Sequence, residues 1–165
     1  MTTINQSPLP EAAALLNPAF GAYILSHCAA AYTAAATEPG STLPWPSAFL
    51  VLPLILPPDS RRALPRDTRT QLAGWLTDNT MIRAAFPQRA PALHAYTQSC
   101  IRFGIRHGAL ALTDGGLRAA RKPAKPDPSE PSEEATTCVR AAVLVGRWFA
   151  AAEAATIFTL LGVRP

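Results

Sequence analysis

Long apolar runs are absent from this chain. The longest, AFLVLPLIL from Ala48 to Leu56, has nine residues and is interrupted by Pro53, whereas a membrane-crossing helix needs roughly 20. Cysteine is scarce as well: Cys28, Cys100 and Cys138 are far apart and sit in apolar surroundings. Their spacing excludes a disulfide framework and any C-x-x-C zinc pair, and suits reduced thiols in a core. His27, His94 and His107 form no HxxxH or HExxH arrangement, and no GxxxxGK[ST] loop occurs. The HExxH signature of zinc hydrolases is thus missing, and nucleotide binding by a P-loop is excluded. Acids are few and stand at helix starts or in a proline-rich stretch, where capping accounts for them. No catalytic residue, cofactor or metal is therefore expected. The opening MTTINQSPLPEAAALL has no basic start and no adequate apolar stretch, so it is not expected to be a signal peptide, and a cytoplasmic location is expected with it.

Aromatic residues make up only 7% of the chain although 48% of it is apolar, because 32 residues are alanine. Alanine adds apolar area with little volume, so closely packed helices are expected rather than a thick aromatic core. The 165 residues suit one domain, and 17 prolines lying mostly between the apolar runs predict medium helices with stiff connections.

Positive charge is missing from the first third. Residues 1–58 hold no Lys or Arg and two acids, Glu11 and Glu38. Residues 59–125 hold ten arginines and two lysines against four aspartates, a net of +8, and residues 126–165 return to −2. A net charge of +4 thus conceals a strongly basic middle between two acidic ends. Such a block suits phosphates, an acidic partner surface, or water.

Along the chain, SPLPEAAALL predicts a short helix with Ser7 as cap, Pro8 near its first turn and Glu11 within that turn. NPAFGAYILSHCAAAYTAAAT, with Phe20, Tyr23, Ile24, His27 and Ala31 at helical spacing, predicts a long helix. PSAFLVLPLIL reads equally as buried helix or strand. In PRDTRTQLAGWLTDN, Asp67 is placed as an N-cap ahead of Leu72, Trp75 and Leu76. A short helix follows over TMIRAAF, closed by Pro87. A third runs from near Pro91 to about His107, with Leu93, Tyr96, Cys100 and Phe103 inward and Gln98, Arg102 and Arg106 outward. Gly108 fits the left-handed position after it.

The period then changes. In ALALTDGGLRAAR, Asp114-Gly115 between two short extended runs predicts a hairpin. Three helices and a hairpin outline a winged-helix-like unit, residues 59–120, whose third helix would be recognition-like and whose hairpin would be the wing. The stretch RKPAKPDPSEPSEE has almost no large apolar residue and reads as an extended or mobile linker, residues 121–134. Residues 135–165 read as a C-terminal helix completing the same domain as the N-terminal segment, residues 1–58. The expected fold is thus mainly α, a winged-helix-like unit held between long N- and C-terminal helices.

NPAF, FLVLPLIL followed by RRALP and a tryptophan-containing helix, RFGIRHGALAL before the hairpin, and the ending GRWFA…TIFTLLGVRP together resemble the middle component of three-component ABC ATPase systems, including Lamassu-type anti-phage defence. The resemblance runs from about Asn17 to Pro165. It implies a non-enzymatic adaptor that sits with an SMC-like or ABC-type ATPase and an effector, often a nuclease. It would couple sensing of foreign DNA to release or activation of that effector.

For contact with nucleic acid or an acidic partner, the candidates are Arg61, Arg62, Arg66 and Arg69, and a second group of Arg102, Arg106, Arg118, Arg121 and Lys122 that would converge if the wing folds back. The first group also fits a plain solvated loop. For partner docking, the candidates are Trp148, Phe149, Gly162, Val163, Arg164 and Pro165, with Arg164 expected to pair with an acid within the subunit or on a partner. Trp75, Trp148 and His27 also fit a packed core. A stand-alone winged-helix DNA-binding regulator and a small enzyme are the rival classes.

Overall fold

The computed structural model describes residues 17–130 and 132–165; the short helix expected around Ser7, Pro8 and Glu11 lies outside the described residues. Among these are eight helices and three short strands. They are α1 (Pro18–Ala35), β1 (Leu43–Pro44), α2 (Trp45–Ile55), α3 (Pro58–Ala63), α4 (Leu72–Asp78), α5 (Thr80–Ala92), α6 (His94–Arg106), β2 (Leu110–Leu112), β3 (Gly116–Ala119), α7 (Glu133–Ala150) and α8 (Ala154–Leu161). The mainly helical fold with a hairpin is as expected.

Helix α1 starts where Asn17 Oδ1 accepts the Ala19 N–H at 2.9 Å and Pro18 occupies the first turn. It packs mainly against α7 and α6, burying Ile24, Leu25, Cys28 and Ala29 completely. The α1–α7 approach depends on Gly146: a Cβ there would run into the Cys28 carbonyl oxygen and the Ala31 side chain. Alanine and glycine thus bring two helices into near backbone contact, the packing that the composition implied.

The ambiguous apolar segment is helix α2, buried from Leu50 to Leu56. Pro53 lies inside it and is tolerated because the surrounding core fixes the segment. The free carbonyls at its end are taken up by the next turn. Ser60 Oγ donates to Leu54 O at 2.6 Å, and Arg61 donates to Ile55 O and Leu56 O at 3.0 and 2.9 Å.

Four expectations are corrected. Asp67 does not cap α4, which starts at Leu72 after Gln71; its carboxylate instead accepts from the Arg69 backbone N–H and pairs with the Arg69 guanidinium, a local turn that competes with the helix start. Helix α5 is not closed by Pro87 but continues through Pro87 and Pro91 to Ala92. Phe86, fully buried, anchors it through that stretch. The third helix therefore begins at His94, not near Pro91, and its buried stripe is Thr97, Cys100, Ile101 and Gly104, with Tyr96 and Phe103 only half-buried. Finally, the C-terminal segment is two helices, α7 and α8, bent by 118° at residues 151–153. No single helix among the described residues is long and apolar enough to cross a membrane.

The hairpin turns at Asp114-Gly115 as the sequence predicts, closed by Thr113 N–H to Gly116 O at 2.9 Å. Its ladder pairs Leu110 with Ala119 and Leu112 with Leu117. What the sequence does not suggest is a third strand: β1 pairs antiparallel with β3, giving the order β1-β3-β2. Pro44 fits an edge strand, which needs no inner N–H donor. Helix α6 packs chiefly on α1, outside the three helices expected to form the unit.

One apolar cluster draws on α1, β1, α2, α4, α5, α6, β2, β3, α7 and α8. Near one edge Trp75 and Trp148, each 3% exposed, stand 5.5 Å apart at 41°. Their indole N–H groups donate to Ala63 O at 2.7 Å and Thr70 O at 2.8 Å, tying the connection 63–70 onto the core. Cys28, Cys100 and Cys138 are buried free thiols, as expected.

Candidate interaction surfaces

The arginines of residues 61–69 divide by role. Arg61 has only 8% of its side chain exposed and is occupied by the α2 carbonyls and by Glu134 Oε1, 2.7 Å away. It is a structural pin between the end of α2 and the start of α7, and is withdrawn from the contact surface. Arg69 is 92% exposed but leans on Asp67 at 3.0 Å. Arg62 and Arg66 face solvent.

The second basic group is spread over α6, the hairpin and the segment after it. Arg102 and Arg106 stand on the exposed side of α6 and border a hollow with Pro18, Ser99 and His107. The ladder continues past the hairpin through Ala120 N–H to Ala109 O at 2.9 Å. That bond starts the segment of Arg121 and Lys122 a few residues beyond the end of α6, and Lys122 then lies beside α1. Arg118 projects from the outer face of β3, since its neighbour Leu117 points into the core and successive strand residues alternate. Arg102, Arg106, Arg118, Arg121 and Lys122 are all exposed, and none forms an ion pair with a described residue.

The docking candidates separate in the same way. Trp148 and Phe149 belong to the core. Gly162 ends α8 with φ 68° and ψ 26°, the left-handed cap that only glycine adopts without cost, and Val163 N–H returns to Phe158 O at 3.1 Å. Val163 packs on the core while Arg164 and Pro165 are exposed, and Arg164 forms no ion pair with a described residue. The last four residues form one wall of an apolar groove of about 640 Å³. Its other walls are Pro46 and Phe49 of α2 and Pro87, Pro91 and His94 of α5 and α6. Phe49 stacks on His94 at 4.5 Å, and Trp45, 40% exposed, meets Phe49 edge-on at 5.6 Å. This groove was not legible in the sequence, because Pro87 there reads as the end of a helix rather than part of a wall.

The segment expected to be a linker is held at Ala124. Its carbonyl accepts from Tyr23 Oη at 2.7 Å and contacts His27 Nε2 at 3.0 Å, so the chain is extended but anchored on α1. His27 stands edge-on to Tyr23 at 4.7 Å and is packed rather than free. Burial lowers its pKa from the usual 6.5, partly opposed by the Ala124 contact. Anchoring places Lys122 and Lys125 beside α1, opposite Arg147 of α7. Lys125 and Arg147 are missing from the sequence-based candidates: one sits in an apparent linker, the other on a helix whose candidates were Trp148 and Phe149. Among the described residues, no three His, Cys, Asp or Glu are grouped to hold a metal ion.

The family model described as ABC-three component (ABC-3C) system Middle Component 3 matches residues 6–165. No curated protein and no solved structure matches the chain.

Proposed function

We propose, for a chain that belongs to the Middle Component 3 family of ABC-three component systems, that it is a non-enzymatic adaptor. In this reading it bridges an SMC- or ABC-type ATPase and an effector of the nuclease class in a Lamassu-like anti-phage complex, and couples DNA sensing to effector release or activation. The observation that carries the reading is that one packed core presents two chemically different surfaces. One is a set of exposed cations on α6, the hairpin and the segment after it, none ion-paired with a described residue; the other is the apolar groove closed by the last four residues. The first suits phosphates near the ATPase, the second an apolar segment of a protein subunit.

The mechanism is electrostatic and conformational. Residues 59–120 lie close to DNA held by the ATPase, where attraction weakens as salt screens it. Release of the effector needs only a few kcal/mol of differential affinity between two states of the ATPase, a scale ordinary for coupled sites. Co-expression of the three components tests this: a stable ternary complex is expected, and consistent failure of the chain to copurify with either partner overturns it.

A stand-alone winged-helix DNA-binding regulator is the second reading, favoured by the exposure of Arg102, Arg106 and Arg118 on α6 and the hairpin. Salt-dependent duplex binding by the isolated protein, lost in a triple substitution of these arginines to Glu, would support it. Its absence, beside a stable ternary complex, would remove it.

A further inference from the structure

Beside the C-terminal half of α1 runs a trough that shares only Lys122 with the surfaces above. Ala30, Ala31, Ala34 and Ala35 form its floor, spaced as two i,i+4 rows, and Val143 adds to it. Lys122 and Lys125 border one side and Arg147 the other. The hollow measures about 440 Å³, and at Ala35 and Arg147 it meets a second of about 420 Å³ lined by Leu72, Ala73, Ala152 and Leu160. The two hollows share Ala35 and Arg147 as a common border. No carboxylate lines either part, and none of the three cations forms an ion pair with a described residue.

We propose that this trough is the seat of an acidic amphipathic helix from a partner subunit of the same complex, an inference that rests on the adaptor reading. The floor decides the chemistry. Phosphates laid on methyl groups would lose hydration without gaining donors, whereas a helix with a narrow apolar stripe fits between alanine rows, where small side chains let backbones approach closely. Three cations set around an apolar floor then meet glutamates or aspartates flanking that stripe, which fixes the helix's register.

The test uses the three co-expressed components, with a photo-crosslinking amino acid in place of the exposed Ala34 and, separately, a Lys122→Glu/Lys125→Glu/Arg147→Glu variant. The crosslink is expected on a partner segment with carboxylates flanking an apolar stripe, and the triple variant is expected to weaken that partner's binding about tenfold or more while melting at the wild-type temperature. A crosslink to nucleic acid, to a second copy of this chain or to a basic segment overturns the proposal. So does wild-type affinity in the triple variant together with no crosslink at Ala34, an outcome that leaves the adaptor reading intact. If the wild-type chain forms no complex at all, the adaptor reading falls and this inference with it.

Discussion

Arg61 and Arg62 are neighbours in sequence with opposite fates, and the difference is one of satisfied geometry. The Arg61 guanidinium joins two carbonyls and Glu134 in a largely buried site, so Arg61→Ala leaves carbonyls and a carboxylate without their donor. It is expected to cost about 2–4 kcal/mol, read as a lower urea midpoint, whereas Arg62→Ala should stay within about 0.5 kcal/mol. Nothing in the string RRALP distinguishes the two residues, because the distinction is made by Glu134, far along the chain. His27 carries a pH dependence. Its folded pKa lies below the usual 6.5 and its unfolded pKa close to that value. Below pH 6.5 the unfolded state therefore binds more protons, and stability falls as pH falls toward the folded pKa. Thermal melting at pH 7.5 and 5.5 should show this drop, and His27→Gln should reduce it; an unchanged drop in the variant would assign it elsewhere. Burial also raises the Cys28 thiol pKa and raises that of Cys100 to about 11. All three cysteines should resist alkylation in the native protein at pH 8 and react after denaturation.

Elements were legible in the sequence where local chemistry decides them. The Asn17-Pro18 start of α1, the Asp114-Gly115 turn and the glycine stop at Gly162 each follow from backbone preferences of the residues involved. They were illegible where the core overrules local preference. Two prolines that should end a helix lie inside α5, and a third lies inside α2, because Phe86 and the apolar face of α2 anchor these helices in the core. Strand β1 escaped notice for a related reason: two residues carry no period, and only the partner strand β3 defines them. The α1–α7 contact is the most sensitive joint between elements. Gly146→Val would press on the Cys28 carbonyl and Ala31, and is expected to destabilise by about 2–3 kcal/mol, seen as a lower melting temperature. Deleting Val163 to Pro165 removes one hydrogen bond to α8 and part of the groove wall. That truncation should change stability by no more than about 1 kcal/mol yet reduce capture of the protein partner; normal capture would show that the ending plays no part in docking.

At the scale of the whole molecule, the net charge of +4 says little, and its distribution says more. The folded chain puts Arg61 to structural use, pairs Arg69 and Arg89 with nearby aspartates, and leaves the cations around α6 and the hairpin open. Sequence order could indicate that the middle was basic but not which charges the fold would consume, since that depends on contacts such as Arg61 with Glu134 and Arg89 with Asp59. The family match spans residues 6–165, and in the proposed reading this chain links two other subunits. The most direct measurement is the mass of the complex purified through a tag on this chain when all three components are co-expressed, compared with each pairwise co-expression. A ternary complex is expected, and altering either the cationic surface or the apolar groove should release one partner and not the other. A chain that purifies alone, or an ATPase and effector that associate equally well without it, would contradict it.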